Sequence, residues 1–188
     1  KLLAKRARRI CVAYDNMERF FPADRILLTG NPVRQNLLHT KLTPEEARKS
    51  LGLRPDVKTI LVIGGSLGAR TLNESVLSER VHLEAHPEVQ ILWQTGGYYK
   101  DAIAERLKTE GQPDNLVVTD FVTDMGAAYA AADLVISRAG ASSISELALL
   151  GKPAILVPSP NVAEDHQTHN ALALVDKEAA LYVKDSEA

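Results

Sequence analysis

The most informative run of this chain reads Thr59-Ile60-Leu61-Val62-Ile63-Gly64-Gly65-Ser66-Leu67-Gly68-Ala69-Arg70. Its first five residues are β-branched or apolar and predict a buried strand. Three glycines and a serine follow, and the residues after them favour a helix. Glycine lets the main chain turn sharply and approach a ligand closely, and the next helix directs free N–H groups to the same point. The run therefore predicts a phosphate or another anion at the end of a strand.

The same alternation of short apolar runs and longer helical stretches continues on both sides of this segment. Strands are predicted at 26–28, 59–63, 90–93, 116–119, 134–137, 154–157 and 181–183. Helices are predicted at 44–51, 69–85, 98–110, 125–132, 143–150 and 165–177. Strands that are apolar throughout are buried on both faces, as in a parallel sheet that helices cover. The pattern predicts an α/β fold, a Rossmann-like doubly wound parallel sheet that binds ligands at the carboxyl ends of its strands.

The turn-rich segment Gly30-Asn31-Pro32 is interpreted as a linker. It divides the chain into residues 1–33, the expected tail of a preceding domain, and residues 34–188, the α/β domain. The first residue is Lys, and the chain ends without an evident finishing helix. We therefore expect the sequence to be a piece of a longer protein.

Composition excludes several classes of function. The chain has 188 residues and a formal net charge of −2, so no overall field favours nucleic acid or an anionic membrane. Residues 1–9 are locally basic and are expected to form the solvated face of a terminal helix rather than a binding arm. The single cysteine, Cys11, permits no intramolecular disulfide and is expected to be a small core residue. The sequence shows no Cys and His spacing typical of a metal site.

A second junction between a strand and a helix spans Ser137–Glu146. Gly140 allows the turn there, and Ser142 and Ser143 add hydroxyls beside the helix N-terminus, which suits a diphosphate. Glu146 has two interpretations. It could complete a capping box with Ser143, as Glu46 is predicted to do with Thr43, or it could accept hydrogen bonds from the two hydroxyls of a ribose. Two such junctions in one sheet favour a nucleotide-diphosphate site.

Three weaker signals accompany these junctions. Arg34 follows a rigid turn and could neutralise phosphate charge. The main chain of Val122 could contact the edge of a flat base. The polar loop 159–170 offers His166, Gln167 and Asn170 for the hydroxyls of a sugar.

Two other interpretations compete with an enzyme that acts on a nucleotide diphosphate. Gly64–Gly68 matches the pattern G-x-S-x-G of serine hydrolases, in which Ser66 would be the nucleophile. Asp133 with His166 or His169 could then complete a triad. The third possibility is a non-catalytic module that binds a nucleotide sugar.

Five segments together resemble the MurG family of glycosyltransferases, in the order and approximate spacing of that family. They are Gly30-Asn31-Pro32-Val33-Arg34, Gly64–Arg70, Phe121-Val122-Thr123-Asp124-Met125, Ser137–Glu146 and Asp165-His166-Gln167. The similarity covers nearly the whole chain, and the combination is specific although each piece alone is not. Family members are two-domain GT-B enzymes that transfer N-acetylglucosamine (GlcNAc) from UDP-GlcNAc to lipid I, which gives lipid II for peptidoglycan.

The resemblance implies that the chain is the C-terminal half of a GT-B glycosyltransferase and binds the donor. It implies an inverting hexosyltransferase that needs no metal or other cofactor. The implied partners are UDP-GlcNAc, lipid I bound by an N-terminal domain, and the cytoplasmic face of the bacterial inner membrane, with no nucleic acid. The substrate-binding residues carried over are Arg34, Gly65, Ser66, Val122, Gly140, Ala141, Ser142, Ser143, Glu146, His166 and Gln167.

Each carried-over residue has an implied role. Arg34 and Ser66 would approach the diphosphate, and the main chain of Val122 would pair with uracil. Glu146 would hold the ribose, while Gln167 and His166 would recognise the GlcNAc hydroxyls. Where many relatives carry Thr near the start of the helix after Gly140, this chain has two serines, which retain the hydroxyl. The general base is expected in the N-terminal domain, whose glycine-rich His motif is absent here, so the chain alone is expected to be inactive.

Overall fold

The computed structural model describes residues 3–162 and 165–188, with Asn36 described by its backbone only. The chain divides into two compact units, Lys1–Val33 and Arg34–Ala188. The assignment of the first unit to the tail of an acceptor domain stays a prediction.

The first unit contains a parallel pair of short strands, β1 (Ile10–Val12) and β2 (Ile26–Leu28), and two single 3-10 turns, Met17–Arg19 and Ala23–Arg25. Two expectations for this unit are wrong. Residues 3–6 form turns instead of a helix, and the guanidinium of Arg25 donates to the carbonyl groups of Ala4, Lys5 and Ala7. Cys11 is exposed, because successive side chains of a strand face opposite sides and Val12 takes the buried side of β1.

The second unit is an α/β domain with a six-stranded sheet in which every neighbouring pair is parallel. Its helices are α1 (Pro44–Ser50), α2 (Arg70–Glu84), α3 (Lys100–Glu110), α4 (Met125–Ala131), α5 (Ala141–Leu150) and α6 (His166–Val175). Its strands are β3 (Lys58–Ile63), β4 (Val89–Gln94), β5 (Leu116–Thr119), β6 (Leu134–Ser137), β7 (Ala154–Leu156) and β8 (Leu181–Tyr182). Gln35–His39 and Asp185–Glu187 are 3-10 turns. The predicted doubly wound parallel sheet is confirmed.

The strand order β5-β4-β3-β6-β7-β8 positions the candidate site. From β3 the chain winds outward through β4 and β5, then returns to the other side of β3 with β6 and winds outward through β7 and β8. The direction of winding reverses between β3 and β6, and such a reversal opens a crevice at the carboxyl ends of the two strands. The glycine-rich loop after β3 and the turn after β6 lie on either side of this crevice.

Apolar side chains fill both faces of the sheet. Leu61 and Ile63 of β3 belong to a core that also contains residues of α1, α4, α5 and α6. Val62, between them, belongs to the opposite core with residues of α2 and α3. This alternation along one strand explains why β3 is apolar at every position from Ile60 to Ile63.

Helix starts agree with the sequence at α1 and disagree at α5. Thr43 and Glu46 form the predicted capping box, with the Glu46 N–H 3.2 Å from Thr43 Oγ1 and the Thr43 N–H 2.9 Å from a Glu46 carboxylate oxygen. Helix α5 begins at Ala141 with Gly140 as its N-cap residue. The capping box proposed for Ser143 and Glu146 is therefore wrong, because both residues already lie inside the helix.

Candidate functional site

The loop after β3 closes on itself through glycines. Gly65 and Gly68 have positive φ angles of 87° and 86°, and the Gly68 N–H donates to the Gly65 carbonyl at 3.0 Å. Helix α2 starts directly after this loop, at Arg70. Ser66 is exposed at the tip, where its hydroxyl and the surrounding main chain face the crevice.

Gln94, the last residue of β4, joins this loop to the loop after β5. Its Nε2 donates to the Gly65 carbonyl at 2.9 Å, and its Oε1 accepts from the Val122 N–H at 2.9 Å. The Val122 main chain was predicted to read a base, and its N–H is held by Gln94, which leaves the carbonyl oxygen for that role. Sequence reasoning missed Gln94, because a single amide at a strand end carries no motif.

The turn after β6 forms the other side of the crevice. Gly140 is the N-cap residue of α5, and Ala141 is its first residue. Ser142 is exposed, and Ser143 lines the crevice together with Gly140. The first turn of α5 therefore presents backbone N–H groups and the Ser143 hydroxyl to the crevice that Ser66 also lines, an arrangement that suits an anion. Ala141 and Ser142 are not among the residues that line this crevice.

Glu146 lies one turn further along α5 and is 3% exposed. Its Oε1 accepts from Arg34 Nε at 2.9 Å, and its Oε2 accepts from the Tyr129 hydroxyl at 3.0 Å. Burial raises the pKa of Tyr129 above its ordinary value, and the adjacent carboxylate raises that pKa further. The phenol therefore keeps its proton and acts as a donor to Glu146. Sequence reasoning did not identify Tyr129, because it occurs in an alanine-rich helix and reads as a core aromatic.

Two adjoining clefts at this edge of the sheet bring most predicted site residues together. The smaller cleft, about 190 Å³, is lined among others by Arg34, Gly65, Ser66, Val122, Tyr129, Ser143 and Glu146. The larger cleft, about 730 Å³, shares Gly65, Ser66 and Ser143 with it and continues to Gly140, Ser159 and Gln167. Ser66, Ser143 and Glu146 therefore lie at the same edge of the sheet and could contact one small molecule.

The polar loop before α6 contributes less than predicted. Gln167 lines the larger cleft, and its Oε1 accepts from the Ser159 N–H at 2.9 Å, which leaves its NH₂ group for a ligand. His166 is exposed at the first position of α6. Asn170 is buried, donates to the Ala139 carbonyl at 3.1 Å and is not among the residues that line the two clefts. Residues 163 and 164, also in the quoted loop, lie outside the described residues.

Arg138 and Asp185 form an ion pair that the sequence did not reveal. Both residues line the larger cleft, and Asp185 also accepts from the Thr71 hydroxyl at the start of α2, at 2.9 Å. Arg138 further donates to the carbonyls of Val157 and Pro158. These contacts hold the Arg138 guanidinium in place. Through Asp185 they also connect the 3-10 turn Asp185–Glu187 to Arg138 and to the start of α2, both of which border the crevice.

The serine-hydrolase interpretation fails on the position of its acid. Asp133 precedes β6, so it lies at the amino ends of the parallel strands, where it bonds to Arg48, Lys58 and the Thr59 N–H. Ser66 follows β3 and lies at the opposite edge of the sheet. The predicted triad cannot form across the full length of the strands.

Membrane-spanning helices and metal-binding clusters are both absent from the described residues. Among residues 3–162 and 165–188, no helix combines the length and apolar character that a membrane span requires. In the same residues, no group of three or more His, Cys, Asp and Glu side chains is placed to share a metal ion.

Known proteins resemble this chain in sequence and in fold. The family model described as "Glycosyltransferase family 28 C-terminal domain" matches residues 59–188. Two curated relatives are named UDP-N-acetylglucosamine--N-acetylmuramyl-(pentapeptide) pyrophosphoryl-undecaprenol N-acetylglucosamine transferase. The one from Bacteroides fragilis is 64% identical over 188 residues, and the one from Bacteroides thetaiotaomicron is 63% identical over 190 residues. Both matches cover 100% of this chain and 50% of the relative, so the chain spans about half the length of the curated relatives it matches.

Solved structures give the same result. The crystal structure of Acinetobacter baumannii MurG is 32% identical and superposes with a TM-score of 0.67, over 100% of this chain and 50% of that one. The structure of the kitacinnamycin glycosyltransferase reaches a TM-score of 0.70 at 19% identity, covering 96% of this chain and 43% of that one, which is a likeness of fold alone.

Proposed function

The chain belongs to the family of glycosyltransferase family 28 C-terminal domains, and on that premise we propose that it is the donor-binding half of an enzyme that transfers GlcNAc from UDP-GlcNAc to lipid I. The product would be lipid II, for peptidoglycan synthesis and cell-wall biogenesis. The relatives named for this reaction support the proposal, with 64% identity along the whole chain. The observation that carries it is the meeting of two helix N-termini, two serine hydroxyls and a buried carboxylate at one edge of the sheet.

In this proposal the diphosphate lies between the two strand-to-helix junctions. Ser66 and Ser143 would donate their hydroxyls to phosphate oxygens, and Gly65 would allow close approach of the backbone. Arg34 would turn from Glu146 to the diphosphate, since a guanidinium forms paired hydrogen bonds with phosphate. Gly140, Ala141 and Ser142 would complete the anion site at the N-terminus of α5.

The two ends of the donor would occupy the neighbouring surfaces. The Val122 carbonyl would accept from uracil, and the Glu146 carboxylate would accept from the ribose hydroxyls. Gln167 and His166, beyond the diphosphate, would contact the GlcNAc hydroxyls.

These groups would accelerate transfer by stabilising the departing UDP. As the bond to the sugar breaks, negative charge grows on the diphosphate, and preorganised donors at that point lower the barrier. We propose that the reaction inverts the anomeric carbon without a covalent intermediate and without a metal or other cofactor. The acceptor hydroxyl needs a general base, which we place in the half of the relatives' length that this chain does not span. That half would also bind lipid I and contact the cytoplasmic face of the bacterial inner membrane, and no nucleic acid takes part.

Calorimetric titration of the chain with UDP and UDP-GlcNAc tests donor binding. We expect saturable binding of both ligands by the wild-type chain, and binding at least about tenfold weaker in Glu146→Gln, which retains the shape but loses the charge. Glu105→Gln, at a solvent-exposed glutamate on α3, is the matched control and should bind as wild type does. An absence of UDP binding by the wild-type chain would refute the proposal.

A chimera tests transfer itself. It is the full-length Bacteroides fragilis relative with its matched segment replaced by this chain, since the two proteins are 64% identical over that segment. We expect the chimera to transfer GlcNAc to a lipid I analogue and the chain alone to show no transfer. If the chimera bound UDP-GlcNAc without transferring sugar, a non-catalytic binding module would be the better description.

A further inference from the structure

Among the described residues, the Glu146 carboxylate has two hydrogen-bond partners, Arg34 and Tyr129, which differ in their freedom to move. The Arg34 side chain is 52% exposed and reaches Glu146 from the crevice, at 2.9 Å from Oε1 and 3.4 Å from Oε2. Tyr129 is 1% exposed, and its ring packs in the core between α4 and the sheet. Arg34 can therefore swing into the crevice or into water, whereas the Tyr129 hydroxyl stays in place.

A carboxylate as buried as Glu146 needs hydrogen-bond donors at all times, because an unpaired buried charge is strongly unfavourable. Under the proposed function, Arg34 leaves Glu146 for the diphosphate when the donor binds. Oε1 then loses its donor, and the two adjacent hydroxyls of a ribose are suitable replacements. Tyr129 is the donor that remains on Oε2 throughout this exchange.

We propose that Tyr129 is a positioning residue for nucleotide binding, which holds Oε2 of Glu146 while a vicinal diol of the ligand takes the place of Arg34. The inference rests on the proposed function, which already assigns the ribose hydroxyls to Glu146, and adds the residue that orients the carboxylate for them. With Oε2 fixed by the phenol, the carboxylate plane cannot rotate, and it meets the 2′ and 3′ hydroxyls in one orientation. A ligand that lacks one of these hydroxyls leaves part of the buried charge without a donor and binds more weakly.

A purely structural role for Tyr129 makes a different prediction. If the hydroxyl only satisfied its own hydrogen bond in the core, its removal would lower stability and would leave the preference for ribose over deoxyribose unchanged. Measuring the affinities of the wild type and of a Tyr129 variant for a ribose and a deoxyribose nucleotide separates these cases. A loss of stability alone would lower the affinity for both nucleotides by the same factor.

The experiment is calorimetric titration of the wild-type chain and Tyr129→Phe with UDP and 2′-deoxy-UDP. We expect the wild type to prefer UDP about tenfold, and the variant to lose most of that preference because its UDP affinity falls. Tyr182→Phe is the matched control. Tyr182 packs against the same core but makes no hydrogen bond to Glu146 among the described residues, and Tyr182→Phe should retain the preference. Urea unfolding of Tyr129→Phe measures its loss of stability separately, and both titrations are run under conditions in which the variant is folded.

Each outcome has one meaning. An unchanged preference in Tyr129→Phe would overturn the assignment while leaving the proposed function intact. A wild-type chain that binds UDP and 2′-deoxy-UDP equally would also overturn it, since Glu146 would then not read the diol. A wild-type chain that binds neither nucleotide would overturn the proposed function and this inference with it.

Discussion

Gly65 and Gly68 both have positive φ angles in the loop after β3, but an added side chain would collide with other backbone only at Gly68. A Cβ atom on Gly68 would overlap the Thr95 carbonyl, whereas a Cβ atom on Gly65 would meet open space. Gly96, itself at a φ of 82°, packs against Gly68 from the loop after β4. Gly68 is therefore required by packing as well as by its φ angle. Gly65 is required by its φ angle and keeps the crevice open.

Replacing each glycine by alanine separates these requirements. We expect Gly68→Ala to lower the free energy of unfolding by more than about 3 kcal/mol, because left-handed strain and a backbone clash add. Gly65→Ala should cost only about 1–2 kcal/mol of strain, but its methyl group would occupy the crevice and weaken UDP binding. Urea unfolding and UDP titration of both variants measure the two effects. Equal stability losses would contradict the difference in packing.

At the scale of elements, the sequence predicted what depends on local pattern. Each strand of the main sheet forms within one residue of its predicted bounds, since apolar runs between turns are local signals. The start of α5 was misjudged by two residues, because the Ser-x-x-Glu pattern of a capping box also occurs inside a helix. Whether Glu146 caps its own helix or bonds to Arg34 and Tyr129 depends on tertiary contacts that no local pattern encodes.

The contacts of strand ends were equally hidden in the sequence. Gln90 and Gln94 stand near the two ends of β4, and both are buried. Gln90 bonds to Arg54, Val57 and Thr59 at the amino edge of the sheet, whereas Gln94 bonds to Gly65 and Val122 at the carboxyl edge. The two glutamines thus bond to loops at opposite edges of the sheet, and the candidate site lies at the carboxyl edge, beside Gln94.

This pair provides a matched test of the contribution of Gln94. We expect Gln94→Met to cost about 2 kcal/mol of stability, because the Val122 N–H loses its acceptor and the Gly65 carbonyl loses one of its two donors. We also expect it to weaken UDP binding as both loops loosen. Gln90→Met should lower stability by a similar amount and leave the affinity for UDP unchanged. Thermal unfolding measures the stability of each variant, and calorimetric titration measures its affinity for UDP. A loss of UDP affinity in Gln90→Met would show that general destabilisation is the cause.

Across the whole domain, the two edges of the sheet have different chemistry. The carboxyl edge gathers glycines, hydroxyls and helix N-termini, while the amino edge carries an ion cluster of Arg48, Lys58 and Asp133. Arg48 is 7% exposed and also donates to the carbonyls of Ala131 and Pro55, which ties α1 to the end of α4. We infer that this cluster stabilises the domain without contacting the proposed ligand.

The ion cluster predicts a dependence of stability on pH. Burial by itself raises the pKa of Asp133, but a hydrogen bond from the Thr59 N–H and the two neighbouring cations outweigh burial and lower that pKa below its ordinary value. A carboxyl group with a lowered pKa in the folded state stabilises the fold above its unfolded pKa of about 3.9. That contribution is lost as the pH falls through the lower, folded pKa.

Asp133→Asn isolates this contribution. At pH 7 we expect the free energy of unfolding of the wild type to exceed that of the variant by about 2 kcal/mol. This difference should shrink below about pH 4, as Asp133 takes up a proton. Urea unfolding of both proteins from pH 7 to pH 2.5 measures it. A difference that stays constant over this range would contradict the proposed role of the charge.

The reversal of strand order between β3 and β6 also affects the order in which the domain folds. Strand β3 pairs with β4, which soon follows it in sequence, and with β6, which comes much later. Contacts between distant segments form slowly, because a long loop must close first. We therefore expect a growing chain on the ribosome to order β3, β4 and β5 well before it can retain a nucleotide. Affinity should arise in a single late step, once α5 has emerged and packed beside the loop of Ser66.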